Sequence, residues 1–238
     1  MTLSALIFDV DGTLAETEDL HRRAFNISFT AAGHEWFWDV PLYRELLKVT
    51  GGKERIRAFL DCFFNTTTLD SDGVAALHRA KSRTYERIIA REGLQLRPGV
   101  MALIDAARSS GLKLAVATTT NLPNVDALCQ SVWRQPASEI FDVIAAGDEA
   151  PHKKPAPDVY NIALERLGLA PSECIAFEDS RNGVIAAKAA GLRVVVTPSQ
   201  YSTGEDVAQA DLLIDDLTKL DFEHLFRGQL KSATADLE

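Results

Sequence analysis

Five short apolar runs alternate with helical patterns along most of this chain. The runs lie at about residues 4–9, at KLAVATT (113–119), at 141–145, at CIAFE (174–178) and at RVVVT (193–197). A short apolar run bounded by turn signals reads as a strand buried on both faces. The helical patterns lie near 99–110, opened by Pro98-Gly99 and stopped by Gly111, at 156–167, stopped by Gly168, and at 182–190, stopped by Gly191. Strands that alternate with helices require right-handed crossovers, and so a mainly parallel sheet with helices on its faces. The expected fold is α/β, a doubly wound, mainly parallel, Rossmann-like sheet, with a short last strand at 212–214.

One stretch breaks the alternation. Residues 17–32, 42–49, 54–64 and 74–91 carry apolar positions at helical spacing, and no strand-like pattern interrupts them. The expected organisation is therefore a core of residues 1–15 and 93–238, with an all-helical cap of residues 16–92 inserted after the first strand. Hinges are expected near Leu14–Glu16 and Glu92–Leu96. The small, polar tail from Lys231 to Glu238 is expected to fray.

Composition narrows the partners. The chain has 238 residues, 46% of them hydrophobic, enough for a sizeable core. Its net charge of -9 weighs against nucleic acid and against an anionic membrane surface, and neither is expected as a partner. A small anion remains compatible, because local positive charge can outweigh the global sign. Cys62, Cys129 and Cys174 are scattered and form no CxxC pair. They read as buried free thiols in a reducing compartment. With no apolar run near 18 residues and no basic leader before an apolar stretch, a cytoplasmic protein is expected.

The chemistry gathers where strands end, because open parallel sheets bind ligands beyond the carboxyl ends of their strands. The first run ends in Asp9-Val10-Asp11-Gly12-Thr13. Two acids at one strand tip repel unless a cation or a shared proton relieves them. A carboxylate pair beside a hard metal ion suits phosphoryl transfer. Thr118 and Thr119 end the second strand and offer a hydroxyl and amides to phosphate oxygens. Lys154 stands in His-Lys-Lys-Pro-Ala-Pro-Asp, where two prolines restrict the loop, and Lys153 is its rival. Glu178 and Asp179 close the fourth strand, and N-capping accounts for only one of them.

In this order, DVDGT, Thr118, Lys154 and Glu178-Asp179 resemble the four motifs of the haloacid dehalogenase superfamily of phosphotransferases. The helical insert resembles that superfamily's small cap, as in the β-phosphoglucomutase-like group. The resemblance implies Asp9 as nucleophile, forming an aspartyl-phosphate, and Asp11 as general acid and base. It implies Mg2+ held by the Asp9 carboxylate, the Asp11 backbone carbonyl and Asp179 with Glu178 near it. Which of the last two binds directly stays open. Thr118, the Thr119 amide and Lys154 would grip the transferred phosphoryl group.

The cap carries Gly51-Gly52-Lys53-Glu54-Arg55. Two glycines let backbone approach a ligand, and Lys53, Arg55 and Lys81 bring positive charge for a second phosphate. Arg44 is a weaker candidate. Glu16, Thr17 and His21 follow the first motif at the spacing of the β-phosphoglucomutase group, where such residues meet sugar hydroxyls and the general acid. GGKER together with AETEDLH resembles the CbbY-type proteins. That resemblance implies a phosphatase of xylulose 1,5-bisphosphate, a Rubisco inhibitor. The expected substrate-binding residues are Glu16, His21, Gly52, Lys53, Arg55 and Lys81, in a monomer. A β-phosphoglucomutase-type mutase, a phosphoglycolate-type phosphatase and a non-catalytic sugar-phosphate sensor stay open as alternatives.

Overall fold

The computed structural model describes residues 3–64 and 69–233; residues 234–238 of the polar tail lie outside it. Six strands form one parallel sheet, β1 (Ala5–Phe8), β2 (Lys113–Thr118), β3 (Val143–Ala146), β4 (Cys174–Glu178), β5 (Arg193–Val196) and β6 (Leu212–Leu213), in the order β3-β2-β1-β4-β5-β6. This is the doubly wound order, and it places β1 between β2 and β4. Phe8 lies level with Val116 on one side and Phe177 on the other, so the tips of β1, β2 and β4 open onto one edge.

Side-chain alternation builds two cores. Leu6, Phe8, Leu114, Val116, Ile175 and Phe177 face one layer. Ala5, Ile7, Ala115, Ala117, Cys174 and Ala176 face the other. Phe8 and Phe177 stack across β1 and β4 with centroids 4.9 Å apart. Full burial of such a side chain contributes roughly 1.5–3 kcal/mol.

Between β1 and β2 the chain runs through α1 (Glu18–Ala31), α2 (Val40–Leu47), α3 (Gly52–Phe64) and α4 (Ser71–Glu92), then α5 (Val100–Ser109) against the sheet. The first four helices enclose a core of their own, with Phe25, Phe29, Trp38, Tyr43, Ile56 and Phe59 at its centre. The two connections to the sheet run side by side. Ala15 bridges Leu96 antiparallel, and the Arg97 N–H donates to the Leu14 carbonyl at 2.8 Å.

Two sequence expectations need correction or addition. Cys62 is exposed, unlike Cys129 and Cys174, because it lies on the outer face of α3 away from the cap core. The sequence pattern also left α6 (Leu122–Trp133) and α7 (Ala137–Ile140) unassigned. The Asn121 side chain caps α6 by accepting from the Asn124 N–H, and Pro123 follows at the second position. That cap with a first-turn proline was the available signal. The remaining elements are α8 (Asp158–Leu167), α9 (Arg181–Ala189) and α10 (Phe222–Phe226). No described helix is long and apolar enough to cross a membrane.

Candidate active site

A cavity of about 330 Å³ lies where the strand tips face the helical segment. Its floor comes from the sheet. The Asp9 N–H still donates to the Phe177 carbonyl at 3.0 Å, so the backbone there is fixed one residue beyond the strand. Lys154 Nζ donates to Asp9 Oδ1 at 2.6 Å, Glu178 Oε1 at 2.6 Å and the Ala117 carbonyl at 2.9 Å. Three acceptors use all three protons of the ammonium. Lys153 turns away, to the Gly147 carbonyl at 2.6 Å and Asp148 at 3.2 Å. Of the two rivals, Lys154 is the one in the acid cluster.

The acids are crowded. Asp9, Glu178 and Asp179 each offer an oxygen within 4.8 Å of the others. Burial pushes the Asp9 carboxyl well above its usual range; Lys154 pulls against this, and Glu178 and Asp179 add to it. Burial and then Glu178 push Asp179 up to about 7, against hydrogen bonds from Ser199 and Ser202. Burial works to lower Lys154, but Asp9 and Glu178 outweigh it and hold the ammonium above its usual value. Glu178 is fully buried. Its Oε1 also accepts from Tyr160 OH, while Oε2 has no partner. One lysine against three acids and an orphaned carboxylate oxygen fit a hard divalent cation.

Two glycines make this crowding sterically feasible. A Cβ at Gly183 would lie 1.9 Å from Glu178 Oε2, and one at Gly12 would lie 2.4 Å from Asp179 Oδ2. Gly12 also has φ +80°, in the left-handed region. Thr118 and Thr119 line the same floor, and the Thr118 hydroxyl accepts from the Thr120 N–H at 3.2 Å.

Asp11 faces the other way. Its Oδ1 accepts from Thr17 Oγ1 at 2.6 Å and meets His21 Nε2 at 3.0 Å. His21 Nδ1 meets Lys81 Nζ at 2.7 Å. With the ammonium donating, the ring proton sits on Nε2 and points at Asp11. The ring stacks on Tyr85 at 3.9 Å, and Lys81 lies over the Phe25 ring at 4.8 Å. Burial works to raise Asp11, but His21, Thr17 and Lys81 outweigh it and hold the carboxyl below its usual range. Burial and Lys81 lower His21, against Asp11. Burial brings Lys81 down to about 7, with Arg55 helping and Asp11 and Glu18 opposing.

The wall of the cavity is cationic. His21, Gly52, Lys53, Arg55 and Lys81 all line it. Arg55 is buried, donates to the Leu46 carbonyl and Tyr43 OH at 3.2 Å each, and lies over the Tyr43 ring. Lys53 reaches across to Asp148 of the sheet side at 2.6 Å. Glu16 does not line the cavity. It sits at the junction, with Arg97 Nε at 3.3 Å and the Gln200 N–H donating to it at 3.3 Å. Arg44 also lies outside, bonded to the Gln200 carbonyl at 3.0 Å. Sequence reasoning missed Tyr160, Ser199 and Ser202, which carry no motif. It also missed His78, held down to about 3 by burial, Lys81 and Lys53.

Comparison with known proteins accords with this geometry. Residues 3–191 match the haloacid dehalogenase-like hydrolase family. The chain belongs to that family and is a phosphatase. It is 56% identical over 219 residues to protein CbbY of Rhodobacter capsulatus, covering 92% of this chain and 95% of that protein. It superposes with a TM-score of 0.88, at 52% identity, on a crystal structure of a CbbY mutant from Rhodobacter sphaeroides in complex with xylulose-(1,5)bisphosphate, covering 92% and 96% of the two chains. A β-phosphoglucomutase from Clostridium difficile shares the fold, with a TM-score of 0.77 at 21% identity over 94% and 96% of the chains.

Proposed function

We propose that this chain is a Mg2+-dependent phosphatase of a small bisphosphorylated sugar, with xylulose 1,5-bisphosphate the leading candidate. The observation that carries the proposal is one cavity with two unlike ends: an acid cluster with Lys154 on the floor, and Lys81 and Arg55 on the wall. A substrate with phosphate at both ends fits both. The crystal structure of a relative with that sugar bisphosphate supports it.

Asp9 is the nucleophile. One carboxylate oxygen attacks phosphorus, the bond from phosphorus to the sugar oxygen breaks, and Asp11 supplies the proton that oxygen needs. Water then attacks the aspartyl-phosphate. Asp11 takes the proton from the water, and phosphate leaves with the Asp9 carboxylate restored. In the arrangement seen, Asp11 is held ionised by Thr17 and His21, the form that takes the proton from water in the second step; for the first step it takes up a proton from solvent and leaves these two partners as substrate binds. Asp9, Asp179 and Glu178 would hold Mg2+, together with the Asp11 carbonyl, and the ion offsets the repulsion between these acids and an incoming phosphate. Thr118, the Thr119 amide and Lys154, which gives up one of its three present acceptors to do so, hold the phosphoryl oxygens. The proposed role is metabolite repair by a cytoplasmic monomer, removing a sugar bisphosphate that inhibits Rubisco.

The test is Mg2+-dependent phosphate release from xylulose 1,5-bisphosphate, beside ribulose 1,5-bisphosphate, 2-phosphoglycolate and glucose 1-phosphate. Strong preference for the xylulose compound is the expected result. Equal turnover of the others retains the phosphatase and overturns the substrate. Binding of every compound without phosphate release overturns catalysis itself.

A further inference from the structure

The segment after β5 touches both halves of the site. Ser202 Oγ lies 2.9 Å from Asp179 Oδ2 and accepts from the Ser199 N–H at 2.8 Å. It also lies 2.9 Å from Ser199 Oγ. The single hydroxyl proton of Ser202 goes to the carboxylate, and the Ser199 hydroxyl beside it also bonds Asp179. The Ser202 N–H donates back to Ser199 Oγ at 3.3 Å, and the Thr203 N–H closes the turn on the Ser199 carbonyl at 3.0 Å. Both serines are buried. The result is a pair of linked hydroxyls held against Asp179.

The two residues between the serines face the helical segment instead. The Gln200 N–H donates to the Glu16 carboxylate, and the Gln200 carbonyl accepts from Arg44 at 3.0 Å. Tyr201 OH donates to Asp19 Oδ1 at 3.0 Å. Its ring meets Tyr43 edge-on at 5.7 Å, and Arg44 lies over it at 5.7 Å. Glu16, Asp19, Tyr43 and Arg44 all belong to the stretch that carries the cationic wall. Beneath the turn, Arg97 holds the Thr197 and Pro198 carbonyls at 2.6 and 2.8 Å, fixing the base from which it projects.

We infer that the Ser199–Ser202 turn is a strut between cap and metal site: Ser202 is a positioning residue for Asp179, and Tyr201 makes that position depend on how the helical segment is seated. This rests on the reading of Asp179 as a ligand of a divalent cation. A hydroxyl donating to a ligating carboxylate fixes which oxygen is turned to the ion, and loss of such a partner typically weakens metal binding 10–100-fold. Tyr201 is the residue before Ser202 and acts only through the shape of the turn, so its effect is smaller.

The experiment is Mn2+ binding to the full, substrate-free chain, followed by electron paramagnetic resonance of free Mn2+, with thermal melts to establish that each variant folds. Ser202→Ala is expected to weaken Mn2+ about tenfold. Ser202→Thr, which keeps the hydroxyl, is expected to restore affinity to within about twofold of the wild type. Tyr201→Phe, which removes the hydroxyl and with it the contacts to Asp19 and Arg22, is expected to weaken Mn2+ about two- to threefold. Wild-type affinity in Ser202→Ala overturns the positioning role, and wild-type affinity in Tyr201→Phe overturns the coupling to the cap. Failure of the wild-type chain itself to bind Mn2+, with Asp179→Asn indistinguishable from it, overturns instead the metal-dependent reading beneath both.

Discussion

The floor and the wall of the cavity solve opposite electrostatic problems with different backbone tools. On the floor, strand tips bring like charges together: Asp9, Glu178 and Asp179 are fixed by the sheet, with Lys154 spread over two of them. On the wall, helices bring cations together: Lys81 on α4 and Arg55 on α3 sit over aromatic rings of the cap core. Strands space their ends about 4.8 Å apart, which makes carboxylate crowding unavoidable once each strand ends in an acid. Helices separate their charges by whole turns, and need buried aromatic faces to hold the ammonium and guanidinium groups apart from water. On the proposed function, chemistry belongs to the floor and selection to the wall.

The largest expected break comes from the floor. Asp9→Asn removes the proposed nucleophile while keeping the shape, and kcat should fall at least about a thousandfold for bisphosphate and monophosphate alike. Normal turnover in a steady-state assay would move the chemistry off this residue. Next is Lys154→Met, which strands the fully buried Glu178 without its cation. Removing one partner of a buried pair costs about 3–5 kcal/mol. A melt should show a Tm drop of roughly 6–20 °C, partly recovered by Mg2+. An unchanged Tm would mean the acids are already neutral without Lys154.

Changes on the wall should act on selection. Lys81→Met should raise KM for a bisphosphate about tenfold and for a monophosphate less than about twofold, a split expected when one anchor of a two-phosphate substrate is lost. Equal losses would place Lys81 outside the distal phosphate site. The same variant should be more stable than the wild type near pH 7, because the buried ammonium is held at about 7 against 10.5 for a free lysine. The folded chain binds fewer protons than the unfolded one between these values, so wild-type stability rises with pH across that window. The advantage of the methionine variant in Tm should therefore shrink from pH 7 towards pH 10, and a constant gap would show that Lys81 is not titrating. The smallest effect belongs to Lys53→Ala. Lys53 and Asp148 are a partly exposed pair, worth at most about 1 kcal/mol, and KM should shift less than about threefold. A larger shift, matched by no effect of Asp148→Ala, would mean that Lys53 leaves Asp148 to grip substrate.

The floor was far more legible in the sequence than the wall. Asp9, Thr118, Glu178 and Asp179 follow apolar runs directly, so reading a strand also reads its tip. Lys154 was narrowed to a pair by its prolines and then separated from Lys153 only by three-dimensional contacts. On the wall, helical spacing identified the helices, but the face that points into the cavity depends on how four helices pack. Glu16 shows the cost: its position beside the first motif made it a substrate candidate, and packing sets it against Arg97 and Gln200 instead. Asp11 lines the cavity with Asp9, but that its carboxylate turns to Thr17 and His21 depends on how α1 packs and is not written in the first motif. The helix α6 was hidden because its apolar positions are diluted by polar residues. The serine turn was hidden because serines in loops are ordinary and only their contact with Asp179 singles them out.

The bridge between Ala15 and Leu96 has one more consequence. It makes the helical segment a closed loop as seen by the sheet, entering and leaving through a two-strand stem whose ends are already paired. The length between those ends adds little closure entropy, growing only with its logarithm, and the register of β1 against β2 is indifferent to it. Such a segment is a graft rather than a link. Its length can change at the stem without changing the register of the sheet, whereas an exchange must keep the partners that Asp11 and Tyr201 find in it, Thr17, His21 and Asp19, for the acids to stay as they stand.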